Sequence, residues 1–345
     1  MPMSFRRFTL SIIFALAWVV AIRSSVAGSL TPPGSPAPTN KPIAEAEPRT
    51  MLSASTTPGD ANSVLKITQP GSYYLGGNLT GASGKHGIEI AASNVTVDLR
   101  GFALVGVGGS LSGVVVELAT YRSVRVMNGT TSGWGHYGVE LGGDGGQIDR
   151  ISATGCGFGG IYGAYGAVVS NCTANANTTN GITAGPAAVI RDCVALENTF
   201  SGISALTSSV VSGCTSFRND QHGILLDGGS VVSGCTVREN GIDGIRVGNS
   251  CRIVGNTADQ NGQASAGAGI HVTGTYSRIE DNHVSSNNSY GLRVDGVRNF
   301  SVRNTANGNA PGGDYFFQAP NTYGQVEDES GGSILVANPW SNFKL

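Results

Sequence analysis

One phrase returns through the middle of the chain at an unvarying interval. It reads Gly160-Ile161, Gly181-Ile182, Gly202-Ile203, Gly223-Ile224 and Gly244-Ile245, each 21 residues after the last. Twelve residues after each glycine stand Cys172, Cys193, Cys214, Cys235 and Asn256. Five further on stand Asn177, Asn198, Asn219, Asn240 and Asn261. Columns in register at such a period mark a solenoid, whose repeats bury their apolar faces only against one another.

Within a repeat the pattern is Gly, apolar, any, apolar, as in Gly223-Ile224-Leu225-Leu226. That alternation is the mark of a strand. The density of Gly, Asn and β-branched residues excludes helices. Short parallel strands stacked coil on coil make a β-helix. The expected fold is therefore all-β, a single-stranded right-handed parallel β-helix. Counting Gly-apolar anchors at Gly87, Gly113, Gly138, Gly160, Gly181, Gly202, Gly223, Gly244, Gly269 and Gly291 predicts about ten coils over residues 87–309. A C-terminal cap is expected over 310–345. The predicted core columns are Ile182, Ile203, Ile224, Ile245 and Ile270 on one side and Val168, Val189, Val210 and Val231 on another.

Six cysteines would suggest disulfides in an exported protein. Four of them, Cys172, Cys193, Cys214 and Cys235, share one column with Asn256, Asn282 and Asn304. Stacked side chains point the same way, which suits an S–S torsion near 90° poorly. A buried thiol ladder that passes into an Asn ladder is expected there. Cys156 and Cys251 read as lying off the column. No CxxC or Cys/His pair suggests a metal, so none is expected, nor any cofactor.

The N-terminus reads as a secretory signal over residues 1–27. Arg6 and Arg7 precede a short apolar run at 10–22, then Ser25-Val26-Ala27 before Gly28. That run is short of the roughly 20 residues a membrane-spanning helix needs. An uncleaved anchor helix is the alternative. A Pro-rich linker follows over 28–50, and the β-helix domain is expected over 51–345. A net charge of -2 without a basic run gives no field to recruit nucleic acid. The expected product is a secreted or extracytoplasmic monomer with no membrane span in the mature chain.

These columns resemble the right-handed parallel β-helix (pectate-lyase-like) superfamily, in particular exported bacterial members with such repeats. The resemblance rests on Asn94-Val95-Thr96-Val97-Asp98, on Ile253-Val254-Gly255-Asn256-Thr257-Ala258 and on the closing Asn338-Pro339-Trp340-Ser341-Asn342-Phe343. It covers about residues 64–309. It implies polysaccharide chemistry, but the known catalytic patterns are not met. Gln221-His222-Gly223 and Arg278-Ile279-Glu280 are imperfect matches to the hydrolase motifs, and no Asp-Asp pair occurs. Nor is there an acidic Ca²⁺ cluster or an Asp-Pro-His-Asp element. Hydrolysis of that kind needs two carboxylates.

In Gly-Ile-x-Val, x should face solvent. Down the stack x reads Glu89, Val115, Glu140, Tyr162, Thr183, Ser204, Leu225, Arg246, His271 and Arg293. The candidate substrate-binding patch is Arg246, His271 and Arg293, with Asp227, Asp295 and Tyr290 beside them. Of these, His271, Arg246 and Arg293 are the candidate catalytic groups. His222 reads as a turn residue, and Trp340 and Phe343 as the cover of the C-terminal end. Two functions remain open. One is a non-catalytic binding or structural module for extracellular polysaccharide or cell-envelope material. The other is a lyase or hydrolase acting on an acidic glycan.

Overall fold

The computed structural model describes residues 48–328 and 338–345. The expected signal segment and nearly all of the linker lie outside them. Thr50, placed in the linker from sequence, opens the first strand, Thr50–Leu52.

Every described element is a strand, and the described strands pair in parallel as named pairs throughout. One sheet has 12 strands, one per coil, from Ser63–Ile67 to Gly313–Phe317. The ten-coil expectation therefore gains a coil at each end. Both additions escaped the anchor pattern. Val64 and Asp314 stand where the glycine would, ahead of Leu65 and Tyr315. A second sheet of 24 strands receives two strands from a typical coil, such as Val168–Ser170 and Thr173–Asn175. The register holds Ile161, Ile182, Ile203, Ile224, Ile245, Ile270 and Leu292 in one column, each at most 1% exposed.

The coils from Gly160 onward turn three corners by one device. A residue in the left-handed region is followed by a small inward residue. At one corner these residues include Ala176, Glu197, Arg218, Glu239 and Gln260, with φ of 52–55°. The asparagine after each is buried. A left-handed kink turns the next N–H out of the backbone ladder, and a buried N–H needs an acceptor. The next coil supplies it. Asn219 Oδ1 accepts from the N–H and Nδ2 of Asn198, at 3.0 and 2.9 Å, and Asn240 does the same for Asn219. So the left-handed position is the residue before the asparagine rather than the asparagine itself.

The second corner carries Cys172, Cys193, Cys214 and Cys235, then Asn256, Asn282 and Asn304. All six cysteines are free and buried. Two of them lie off this column, as expected, and have partners in columns of their own. Cys156 belongs to the first corner, where its N–H donates to Asn177 Oδ1 at 3.0 Å. Cys251 belongs to a third corner of Ser209, Ser230, Ser277 and Asn299, where its N–H donates to Ser277 Oγ at 3.1 Å. Burial pushes the Cys156 thiol up to about 11.

The third corner also corrects the valine column. Val169, Ile190, Val211 and Val232 are the fully buried residues, while Val168, Val189, Val210 and Val231 are half-buried on the outer side. The left-handed residues Gly166, Ala187, Ser208 and Gly229 restart the alternation at the next residue, which shifts it by one.

The anchor glycines are explained by close approach. A Cβ on Gly202 would lie 2.6 Å from Asn219 Nδ2, and one on Gly244 would lie 2.6 Å from Asn261 Nδ2. Each glycine lets the strand lie directly on the amide ladder. Among the described residues, no helix is long and apolar enough to cross a membrane.

Candidate functional site

The 12-stranded sheet presents the outward column. In the middle coils it is unremarkable in charge: Tyr162, Thr183, Ser204 and Leu225. From Ile245–Val247 onward it becomes Arg246, His271 and Arg293 on three neighbouring coils. At strand spacing this run spans about 10 Å.

His271 is 7% exposed, so it is not the solvated residue that alternation predicts. It is buried because two carboxylates flank it. Its Nδ1 is 3.0 Å from Asp243 Oδ2 and its Nε2 is 2.9 Å from Asp295 Oδ2. Arg293 Nε donates to Asp295 Oδ1 at 2.9 Å. Arg246 lies 3.6 Å from Asp243 Oδ2, and the Ala268 N–H donates to Asp243 Oδ1 at 2.9 Å. The chain Arg246–Asp243–His271–Asp295–Arg293 thus locks five side chains on neighbouring coils. Ionised carboxylates only accept. With both ionised, both bonds to His271 form only when its ring carries two protons.

Burial pushes the Asp243 carboxyl up, but the His271 hydrogen bond and charge outweigh it and hold the group below its ordinary value. Asp295 is likewise held down by Arg293 and His271 against its burial. Arg293 is raised by its bond to Asp295. Its guanidinium also lies 5.8 Å from the Tyr290 ring centroid, and Tyr290 packs on Phe316 at 5.2 Å.

Of the residues expected here, the structure brings Arg246, His271, Arg293, Asp295 and Tyr290 together. Asp227 stays apart. It is exposed, three coils from Asp295, and its carboxylate has no side-chain partner among the described residues. His222 joins the cluster. It is 8% exposed, with Nδ1 3.5 Å from Asp243 Oδ2 but without a hydrogen bond, and burial lowers its pKa. Asp243 was missed. It sits just before Gly244, as His222 sits just before Gly223, in a column that elsewhere holds Asn180 and Ser201. An acid there, one coil below a histidine at x, was the available signal. Among the described residues no group of three or more His, Cys, Asp or Glu side chains could hold a metal.

The description "Right handed beta helix region" matches residues 86–258 and 201–279, which together span more than half of the chain. The chain belongs to the right-handed β-helix family. Its fold is shared with the A-modules of two mannuronan C-5 epimerases of Azotobacter vinelandii. AlgE4 has a TM-score of 0.57 at 17% identity, covering 73% of this chain and 90% of the module. AlgE6 has 0.56 at 18%, covering 73% and 89%. A pectate lyase, Pel9A, aligns at a TM-score of 0.42 and 16% identity, over 73% of this chain and 66% of the enzyme. No curated protein sequence matches the chain.

Proposed function

We propose that this protein is an exported module that binds an acidic polysaccharide across the coils from Ile245–Val247 to Tyr290–Val294, without cleaving it. The observation that carries this reading is the pair of guanidinium groups on this face. Arg246 and Arg293 are 40% and 38% exposed at the side chain, two coils apart; Arg293 is fixed by its hydrogen bond to Asp295, and Arg246 pairs with Asp243 at 3.6 Å. Guanidinium groups held this way meet a planar carboxylate with little further loss of freedom. Tyr290, beside Arg293, offers a ring face to a sugar.

The same bonds support binding without cleavage. A general base needs a nitrogen or oxygen free to take a proton. His271 spends both ring nitrogens on carboxylates, and Asp295 spends one oxygen on His271 and the other on Arg293. The signal segment read at residues 1–27 supports a role outside the cytoplasm. The epimerases of similar fold act on mannuronan, which supports a glycan as the ligand class.

One observation favours a second reading, proton abstraction from a uronate. His222, whose pKa burial lowers, has an Nδ1 without a hydrogen bond beside the buried Asp243. Polygalacturonate and polymannuronate incubated with the protein in D₂O separate the two. Retention of the polymer without deuterium uptake at C5 is expected. Deuterium uptake lost in His222→Ala would replace binding by catalysis.

A further inference from the structure

The 24-stranded sheet carries another polar cluster, on the same three coils as the His271 network but on strands of the other sheet. Its centre is Glu280, 3% exposed, which three arginines surround. Arg252 Nη2 lies 2.9 Å from Glu280 Oε1, while Arg278 Nε and Arg303 Nη2 lie 2.8 and 3.1 Å from Oε2. Arg303 also grips Asp281, with Nε 2.7 Å from Oδ1 and Nη2 2.8 Å from Oδ2. Three guanidinium groups against two carboxylates leave the cluster with one net positive charge. The arginine side chains remain 57%, 47% and 34% exposed, so their outer N–H groups face solvent.

Aromatic rings border this cluster. Arg278 lies 4.9 Å from the Phe300 centroid, on the neighbouring strand, and Arg303 lies 5.6 Å from the Trp340 ring. Trp340 was expected to cover the end of the stack, where it would be buried. It is instead 52% exposed, and Tyr323 is 49% exposed. Between them runs an open groove of about 340 Å³ lined by Phe300, Val302, Thr322, Tyr323, Gly324 and Trp340. The exposed rings are not loose. Tyr323 stacks on Phe317 at 4.3 Å and 13°, and the Trp340 ring packs against the Arg303 guanidinium at 5.6 Å. A large indole held in water beside a shallow groove is a common sign of a binding surface.

We infer that this groove is a second carbohydrate site, which takes one uronate residue of an acidic glycan: the C–H face of the pyranose stacks on Trp340 and its carboxylate meets Arg278 and Arg303. The chemistry on each side matches. An aromatic face accepts the apolar side of a sugar ring. A guanidinium anchored on its inner edge by Glu280 presents its outer N–H pair to a planar carboxylate. A neutral sugar would use the ring and leave the charge unmatched, so the groove should discriminate by charge. The site lies on a different sheet from Arg246 and Arg293, so a chain bound at one does not occupy the other.

Tryptophan emission reads this site selectively in a chain carrying Trp18→Phe, because the other remaining tryptophan, Trp134, is 1% exposed and sealed in the interior. The full-length protein is titrated with a galacturonate oligosaccharide and, separately, with a neutral galactose oligosaccharide of equal length. The galacturonate should shift the emission to shorter wavelength, and the neutral sugar should not. Trp340→Phe should abolish the shift, and Arg278→Gln should weaken apparent affinity at least tenfold at low salt. The titration is repeated in Arg246→Ala/Arg293→Ala. A shift that persists there shows the groove acting independently, whatever becomes of the first site. No shift in either background overturns the inference, as does an equal shift with the neutral sugar. Retention of full affinity in Arg278→Gln also overturns it. Far-ultraviolet dichroism of each variant, expected to match wild type, separates lost binding from lost fold.

Discussion

The coils at Gly181 and Gly202 and those at Gly244 and Gly269 share their isoleucine column and first asparagine corner, change inside only where Cys193 and Cys214 give way to Asn256 and Asn282, and differ far more in what they show outside. Both pairs stack isoleucine on isoleucine and asparagine on asparagine, with the same glycine pressed on the same amide. On the outer face, Thr183 and Ser204 are half-buried and carry no charge, whereas Arg246 and His271 enter a network with Asp243 and Asp295. The inward columns specify the coil and leave the outward ones free to vary. Departure from the repeat on the outer face, while the inner face keeps it, is therefore where a site is to be sought in this molecule.

Substitutions can break that contrast, and the largest effect is expected at its centre. Asp243→Ala removes a buried carboxylate and leaves His271 Nδ1 and the Ala268 N–H without their partner. Loss of one partner from a buried pair costs about 3–5 kcal/mol, to be read as a fall in denaturation midpoint with unchanged slope. Asn240→Ala strikes the inner face. It leaves the backbone N–H of Asn219 without its acceptor, while Nδ2 keeps Ala195 O and Ser216 Oγ. A stranded buried donor costs about 1–3 kcal/mol. Both variants should lower stability, but Asn240→Ala should keep glycan affinity in whatever fraction folds, and Asp243→Ala should not.

A smaller effect distinguishes the Glu280 cluster. The Arg278 hydrogen bond, with help from Arg252, holds Glu280 down to about 2 from an ordinary 4.5, against its burial. A carboxyl whose folded value is depressed contributes stability above its unfolded value and loses it as pH falls through the folded one. Wild-type stability should therefore decline between pH 4.5 and about 2, and Glu280→Gln should flatten that decline while lowering stability at neutral pH. A decline of equal steepness in the variant would remove Glu280 as its cause. Smallest of all, Ser204→Ala on the plain outer face should change stability by no more than about 0.5 kcal/mol and leave glycan binding as it was.

Much of the fold was legible because a period of 21 repeats every inward constraint at once. The isoleucine column, the asparagine corners and the parallel stacking all follow from it. Val168 was placed inside where Val169 belongs, because the kink at Gly166 resets the alternation and no residue type announces a left-handed alanine or serine. Cys156 and Cys251 looked solitary for a related reason. Their partners are Asn177 and Ser277, different residue types in their own columns. In the site, Arg246, His271 and Arg293 were legible from strand alternation. Asp243 was not, since it lies at a corner and reaches His271 only because the corner folds it over the strand. The burial of His271 followed from that same unseen residue.

The proposal that Arg246 and Arg293 hold an acidic glycan is tested most directly by calorimetric titration of polygalacturonate into wild type and Arg246→Ala/Arg293→Ala at low salt, with the Trp340→Phe groove variant as the common background. Wild-type residues at 246 and 293 should give measurable binding that weakens with added salt, and the double variant should lose at least tenfold in affinity while its melting curve stays cooperative. Equal affinity in the two proteins would contradict the account.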